Sequence, residues 1–522
     1  MIQLDIRKED LLDDDKLQEI VRDIFLIKNI THNSQQRIKN AFDFYRGDLP
    51  YFIDENETGY QSRNFNLAKP IVETATKTFI GVLPDIVTTG KKSEKEKISV
   101  FNQKLYTRHF NTRIYQTAKN SSVCGSGFVA IYNKIGDTFP RFRELNPQFA
   151  DVVYDSSLAQ ERLFAFNIVP VSRMEDTVKK EYNQIYIYTD KDIITFEAPS
   201  VATSKNATTS PANKNLNIAP LMSFRVGDKE TNRMPHGYSD IPIFEFPNNE
   251  EYKGDFECVE DLFYAYNDLQ NNRCLNVHDI VNYVLMLKNV RIGSEEEQEE
   301  LVNLLQKHRI LPIEGENVEA KYLSNPLNQV ELDTLAQAIK TNIHYICRVP
   351  DLSSVDFSQN ASDPIIKIKT KPLLDLCCEK ELSFSEPYLK LLKCVLDWCK
   401  VNDKQSYGTY DFILDLCSLK YSHPLPANDV DMVTQIANLA NAKVLDPATA
   451  LQEISWINNV HDYQKGIEKW NETIKSLAPQ KENDNNKGVN QTNIDRQNSN
   501  PRSTGEFDNK NNGALGAGNK IG

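Results

Sequence analysis

The sequence predicts an α+β chain, and three observations carry that prediction. Apolar residues recur at helical spacing in several long stretches, as in Leu17, Ile20, Val21, Ile24 and Phe25. Other runs alternate in the manner of a strand, as in Phe128, Ala130 and Tyr132. The stretch from Ile241 to Asn272 joins the two patterns. An apolar strand (Ile241, Ile243, Phe244, Phe246) stops at Pro247-Asn248-Asn249, and a short acidic loop follows. A helix then sets Val259, Leu262, Phe263, Tyr266 and Leu269 on one stripe, flanked by Glu257, Glu260, Asp261 and Asp268.

In chain order, residues 16–45 read as helical and end in the turn Tyr45-Arg46-Gly47. Residues 64–86 give a helix with Ile71, Ala75, Thr78 and Phe79 on one face and Gly81 near its end. Residues 99–123 read as one further helix, leading to Gly125 and Gly127, whose missing Cβ permits close backbone approach. A strand at 128–132, a hairpin turn at Ile135-Gly136-Asp137, Asn146-Pro147 and a Val153-Tyr154-Asp155 strand come next. Strands over 163–170 and 184–197 extend a mixed sheet, and 200–215 is small, polar and aperiodic, a surface loop.

After the junction the helix is expected to run from Phe256 toward Leu287, followed by a small α/β insert with strand-like runs at Arg309–Ile313 and Val318–Leu323 and a turn at 314–317. Leu332, Leu335, Ile339, Ile343 and Ile346 define a second amphipathic helix from Asn328 to Arg348. A polar loop precedes Asp363-Pro364, a helix start. Pro372 and Pro387 are expected to segment the helix that follows, since each removes a donor and clashes with the preceding turn. Residues 407–421 read as a strand, 425–457 as two helices, and the tail beyond Ala478 has too few apolar residues to fold alone.

Composition narrows the function. A chain of 522 residues exceeds one compact core and implies about two to four domains. No apolar run reaches the ~20 residues a membrane span needs, and the acidic N-terminus lacks the order of a secretory signal. Nine scattered cysteines without a CxxC pair read as reduced thiols. The formal charge of -13 opposes a tight duplex binder, which carries a basic face, but suits a wall that DNA slides past. From charge alone, net acidity that merely keeps the protein soluble is the favoured explanation.

Catalytic signatures are missing. Gly90-Lys91-Lys92-Ser93 lacks the earlier glycine of a phosphate-binding loop, and HExxH and GxSxG are absent. His308, His344 and His423 lie far apart in sequence. No enzyme activity, cofactor or metal is expected.

Taken together, the strand–PNN–helix junction, the polar loop with Pro350-Asp351, Phe357, Asn360-Ala361-Ser362 and Lys367/Lys369, the Tyr45-Arg46-Gly47 turn and the Asp446-Pro447 helix start closely resemble tailed-phage portal proteins, the head-to-tail connectors of the Bacillus siphophage type. The resemblance covers about residues 15 to 475. It implies the portal fold: a mixed α/β wing (1–255), stem helix 1 (256–288), a clip (289–325), stem helix 2 (326–349), a tunnel loop (350–363), a kinked helix with a strand returning to the wing sheet (364–424), a helical crown (425–478) and a disordered tail (479–522). Two departures stand out. Gly81-Val82-Leu83-Pro84 carries one residue more than the family's Gly-x-Pro, and Asp363 replaces its usual Gly.

The resemblance further implies a ring of about twelve copies at one capsid vertex of the virion, assembled in the host cytoplasm. Double-stranded DNA would pass through it in packaging and ejection. Its partners would be the terminase large subunit, the major capsid and scaffolding proteins and a head-completion adaptor. Asp351, Ser354, Phe357, Ser358, Gln359, Asn360 and Ser362 would form the tunnel loop, and Glu257, Asp261, Asp268, Lys367 and Lys369 would charge the channel. Glu295, Glu296, Glu314 and Glu316 would dock partners at the clip. Without the resemblance the same carboxylates and lysines are ordinary solvated faces, and the loop is a connector. Two other readings stay open on sequence alone: a cytosolic helical scaffold or adaptor with no DNA path, and a metal-dependent nucleic-acid enzyme.

Overall fold

The structure, a computed structural model, describes residues 2–4, 8–13, 16–23, 35–48, 63–88, 92–175, 178–199, 219–226, 229–280, 284–288, 319–323, 329–354, 363–408, 410 and 417–423, with a few positions (434, 436–439, 442 and 469) beyond them. The chain divides into two units, Met1–Asn428 and Asp429–Gly522. In the second unit the Ala442 amide donates to the Asn438 carbonyl at 2.9 Å, one turn of helix. Apart from the few positions just named, the expected crown and tail lie outside the described residues.

The first unit runs β1 (Ile2–Leu4), α1 (Gln35–Arg46), α2 (Ala68–Ile80), β2 (Asp85–Thr88), α3 (Lys92–Thr107), α4 (Phe110–Cys124), β3 (Ser126–Tyr132), β4 (Arg141–Leu145), β5 (Ala150–Asp155), β6 (Arg162–Glu175), β7 (Val178–Tyr188) and β8 (Asp192–Pro199). Short strands β9 (Ala219–Pro220), β10 (Phe224–Val226), β11 (Lys229–Thr231) and β12 (Arg233–Pro235) lead to β13 (Ile243–Pro247) and α5 (Glu260–Ile280). Then come β14 (Val284–Lys288), β15 (Glu319–Leu323), α6 (Gln329–Ile346), α7 (Asp363–Asn402), α8 (Lys404–Tyr407) and β16 (Cys417–Lys420). Helices and a largely antiparallel set of sheets occupy separate stretches, the α+β class that the patterns predict.

One sheet has the order β1-β5-β6-β7-β8-β12, with β9 also on β8; β1 joins β5 in parallel and the other pairs are antiparallel. A second sheet, β13-β3-β4, places Phe246 opposite Gly127 and Pro247 opposite Ser126. Phe128, Ala150, Val152, Ala165, Ile241 and Ile243 fill one buried cluster that takes residues from both sheets. The main core is helical. It gathers Ile71, Phe79, Phe110, Ile114, Phe246, Phe256, Phe263, Phe384, Leu391 and Trp398, from α2, α4, β13, α5 and α7 and the turn before α5. A lone helix stripe has nothing to bury against, so this convergence gives each helix its stability.

Several elements differ from the sequence reading. The helix read over 99–123 is two, α3 and α4, because His109 adopts a left-handed φ of 58° between them. The strand read over 184–197 is two strands of a hairpin, β7 and β8, turned at Thr189, whose hydroxyl accepts from the Asp192 amide at 2.9 Å. The helix expected to reach Leu287 ends at Ile280, and Val284–Lys288 instead pairs antiparallel with Glu319–Leu323. Val284, Leu285, Met286 and Leu287 form a continuous apolar run that suits a strand as well as a helix, and a cross-strand partner decides between them. From 407–421 only Cys417–Lys420 is a described strand; it pairs with β2 in a two-stranded sheet and does not join the large one.

The largest departure is α7. It continues from Asp363 to Asn402, 40 residues, with both Pro372 and Pro387 inside it. The carbonyls that lose a donor belong to the residues four earlier, Ile368 and Ser383. Ile368 is 72% exposed and Ser383 lines an open cavity, so neither residue is sealed in the core. Meanwhile Leu373, Cys377, Phe384, Tyr388, Leu391, Val395 and Cys399 form one buried stripe that fixes the helix along its length.

Candidate functional site

The junction between β13 and α5 is built around a buried ion pair. Lys380, on the buried stripe of α7, places its ammonium 2.8 Å from Asp255. Its three protons have three acceptors: Ser122 Oγ at 2.7 Å, Asn248 Oδ1 at 2.8 Å and Asp255 Oδ2 at 2.8 Å. Asn248 in turn donates to Asp255 Oδ1 and to the Lys253 carbonyl, each at 2.9 Å. Its backbone amide donates to Gly125 and that of Asp255 to Ser122, each at 2.8 Å. With Lys380 3% and Asp255 1% exposed, the pair has almost no water, and the neutral ligands complete its hydrogen bonding. The PNN turn is thus the receptor for a lysine from a helix more than a hundred residues later.

Close backbone packing makes the receptor possible. Gly125 has φ +92°, and a Cβ there would overlap the Tyr252 carbonyl. A Cβ on Gly127 would strike the Thr117 carbonyl, and one on Gly254 the Val123 carbonyl. Arg37 on α1 clamps the other side. It donates to the Cys124 carbonyl (3.0 Å), the Tyr252 carbonyl (2.5 Å) and Glu257 (3.0 Å).

Glu257, expected on the channel face, is therefore committed inside the subunit: its side chain is 9% exposed, pairs with Arg37 and accepts from the Gly254 amide at 2.9 Å. The reason is its position in the turn before α5, where the loop folds back over it. Asp261 and Asp268 are exposed on α5, as are Lys367 and Lys371 on α7, while Lys369 is half-buried.

Helix α5 packs on α6, and Arg273 reaches Asp333 across that contact at 3.1 Å. On its other side Asn267 and Asn271, one turn apart, hold an extended segment. Their Oδ1 atoms accept from the Phe65 and Arg63 amides at 2.7 Å, and Asn271 Nδ2 donates to the Arg63 carbonyl at 2.8 Å. Both sit in register with Phe263, so two polar residues on an apolar stripe were the signal for this contact. Lys380 was likewise readable, standing in register with Cys377 and Phe384.

Helix α6 closes with Arg348 at φ 58°, and the Val349 amide returns to the His344 carbonyl at 3.2 Å. The Arg348 guanidinium donates to Glu379 on α7 at 2.6 Å. Beyond it Asp351 is anchored: Lys340 lies at 2.5 Å, and the Ser353 hydroxyl donates at 2.6 Å. Burial raises the Asp351 pKa, but the hydrogen bonds from Lys340 and Ser353 outweigh it and leave the carboxyl below its ordinary value. The Ser354 hydroxyl donates to the Asp351 carbonyl at 2.9 Å. A cavity of about 1000 Å³ at this base brings Asp351 and Ser354 together with Lys340, Arg348 and Lys369. Phe357, Ser358, Gln359, Asn360 and Ser362 lie outside the described residues, as do Glu295, Glu296, Glu314 and Glu316.

A second cavity, about 460 Å³, is lined by Cys258, Cys347, Lys253, Arg348 and Glu379. Hydrogen bonding from the Cys347 thiol lowers the Cys258 pKa to about 7, and the same bond, with burial, pushes Cys347 up. Among the described residues, Cys378, Glu381 and His423 form the one three-residue group with metal-ligand chemistry.

The family model described as phage portal protein, SPP1 Gp6-like, matches residues 25–486. The chain belongs to that portal family. No curated protein matches it. The sequence resemblance and the family match agree, so the chain is a phage portal protein, a structural component of the head-tail connection in genome packaging. In this portal protein no helix among the described residues is long and apolar enough to cross a membrane.

Proposed function

We propose that this portal protein assembles into a closed ring of about twelve copies at one capsid vertex of the virion, and that double-stranded DNA passes through its centre during packaging and ejection. The carrying observation is the order α5, β14–β15, α6, anchored loop, α7: two packed helices joined through a small sheet, followed by a loop whose first turn is fixed. Residues 350–363 would form the tunnel loop at the lumen. Asp351 sets its base, and Ser354, Phe357, Ser358, Gln359, Asn360 and Ser362 would touch phosphates without reading sequence. Lys367 and Lys369 would add positive charge beside it, while Asp261 and Asp268 would repeat as acidic rings that keep DNA from adhering.

The terminase large subunit would dock on the clip during packaging and the head-completion adaptor afterwards, using Glu295, Glu296, Glu314 and Glu316. The wing would face the major capsid and scaffolding proteins, and assembly would take place in the host cytoplasm. Electron microscopy of the protein, alone and co-expressed with the phage's scaffolding and capsid proteins, tests the reading. End-on rings with a hole wide enough for a duplex are expected. Monomers or open filaments under both conditions would overturn it.

A further inference from the structure

His423, just past β16, lies against α7 beside Cys378 and Glu381. These two helix residues are three apart and so leave the same face one turn from each other. One donor atom from each of the three side chains lies within 4.8 Å of the others. The imidazole is held in one orientation. Its Nδ1 is 3.0 Å from the Thr78 carbonyl, which can only accept, so Nδ1 carries the proton and Nε2 faces the cluster. A backbone carbonyl on the far nitrogen is how metal-binding histidines are commonly set. Nε2 stands 2.5 Å from Glu381 Oε1. At that distance the two atoms share a proton, so imidazole and carboxylate are already hydrogen-bonded to each other in the metal-free chain.

We propose that Cys378, Glu381 and His423 form a binding site for a divalent transition-metal ion, with zinc the best chemical fit. Thiolate, imidazole and carboxylate together suit borderline-soft Zn²⁺, whereas Mg²⁺ and Ca²⁺ prefer all-oxygen sites. Donors around a tetrahedral zinc stand about 3.4–3.6 Å apart. His423 and Glu381 therefore part by roughly one ångström and Cys378 closes by a similar amount. Cys378 is exposed and Glu381 half-buried on the helix surface, so these two side chains are the ones that shift while His423 keeps its bond to Thr78. On binding, zinc exchanges the thiol proton for a Zn–S bond and releases that proton; three protein ligands leave the fourth position to water. The ion would fasten the segment after β16 to α7 and, through Thr78, to α2. Its role is that of a cross-link, independent of ring formation.

The test uses the full chain, reduced and freed of metal with a chelator, and titrated with Co²⁺ as probe and Zn²⁺ as competitor. The expected result is a thiolate-to-cobalt charge-transfer band with tetrahedral d–d absorption, both abolished by zinc. Cys378→Ser and His423→Gln should each bind one zinc fewer per chain, and Glu381→Gln, losing a direct ligand, should bind it weaker by at least the roughly tenfold that loss of an outer partner costs. Unchanged spectra and stoichiometry in Cys378→Ser and His423→Gln would overturn the site, as would a wild-type chain without thiolate–cobalt absorption, the outcome a shared proton alone would give. A readout that needs no variant is peptide-resolved alkylation. Zinc should protect Cys378 from iodoacetamide, and undiminished labelling of Cys378 in saturating zinc would also refute it.

Discussion

Lys380 shows how much a single side chain can decide in this subunit. Removing it leaves Asp255 charged, buried and short of its partner, so Lys380→Met should destabilise the chain by about 3–5 kcal/mol in urea denaturation. Adding Asp255→Asn should recover part of that loss, because the stranded charge is gone; a double variant as unstable as the sum of the singles would show that the two do not couple. Cys258 gives a second residue-scale expectation. With a pKa of about 7, its alkylation rate in the unassembled subunit should rise with pH to a midpoint near 7, where a free cysteine turns at about 8.5. Cys347→Ala removes the donated hydrogen bond and should move that midpoint upward. Mass spectrometry of labelled peptides reads both.

Among the elements, α5 depends on its asparagines as much as on its apolar stripe. Asn271→Ala would leave the Arg63 amide and carbonyl without their partner, costing about 1–3 kcal/mol, and amide exchange over 63–65 should accelerate. The strand-to-helix junction was legible because Ile243, Phe244 and Phe246 and then Val259 and Phe263 follow the two periods cleanly. What the sequence hid were choices made by distant partners. Val284–Lys288 became a strand because Glu319–Leu323 lies beside it. His109 broke a helix through a backbone angle that no side chain announces. Pro372 and Pro387 did not segment α7 because they lie off the buried stripe, which packs from Leu373 to Cys399, and because Ile368 and Ser383, whose carbonyls lose a donor, are not sealed in the core. Of the charged residues read from sequence, Asp261, Asp268 and Lys367 stayed on open faces, while Glu257 turned inward to an arginine 220 positions away.

For the whole molecule, the proposed ring makes the 350–363 loop a functional part rather than a folding one. Deleting residues within it should leave rings visible by electron microscopy while nuclease-protected DNA in filled heads is lost. Normal packaging by such rings would remove the loop's assigned role. Reversing the acidic face with Asp261→Lys and Asp268→Lys together should slow DNA passage, most strongly at low salt, where phosphate attraction is least screened. The ion pair at Lys380 also has a mechanical meaning. It grips α7 about 26 Å from the end that meets the loop, and Pro372 and Pro387 each lie about two turns to either side of the grip. The buried stripe holds the rod from Leu373 to Cys399, and Pro372, with its missing hydrogen bond, stands just outside that hold on the loop side. Push on the loop end of α7 therefore becomes flexion at Pro372, and the strand–turn–helix junction that holds the lysine is spared the load.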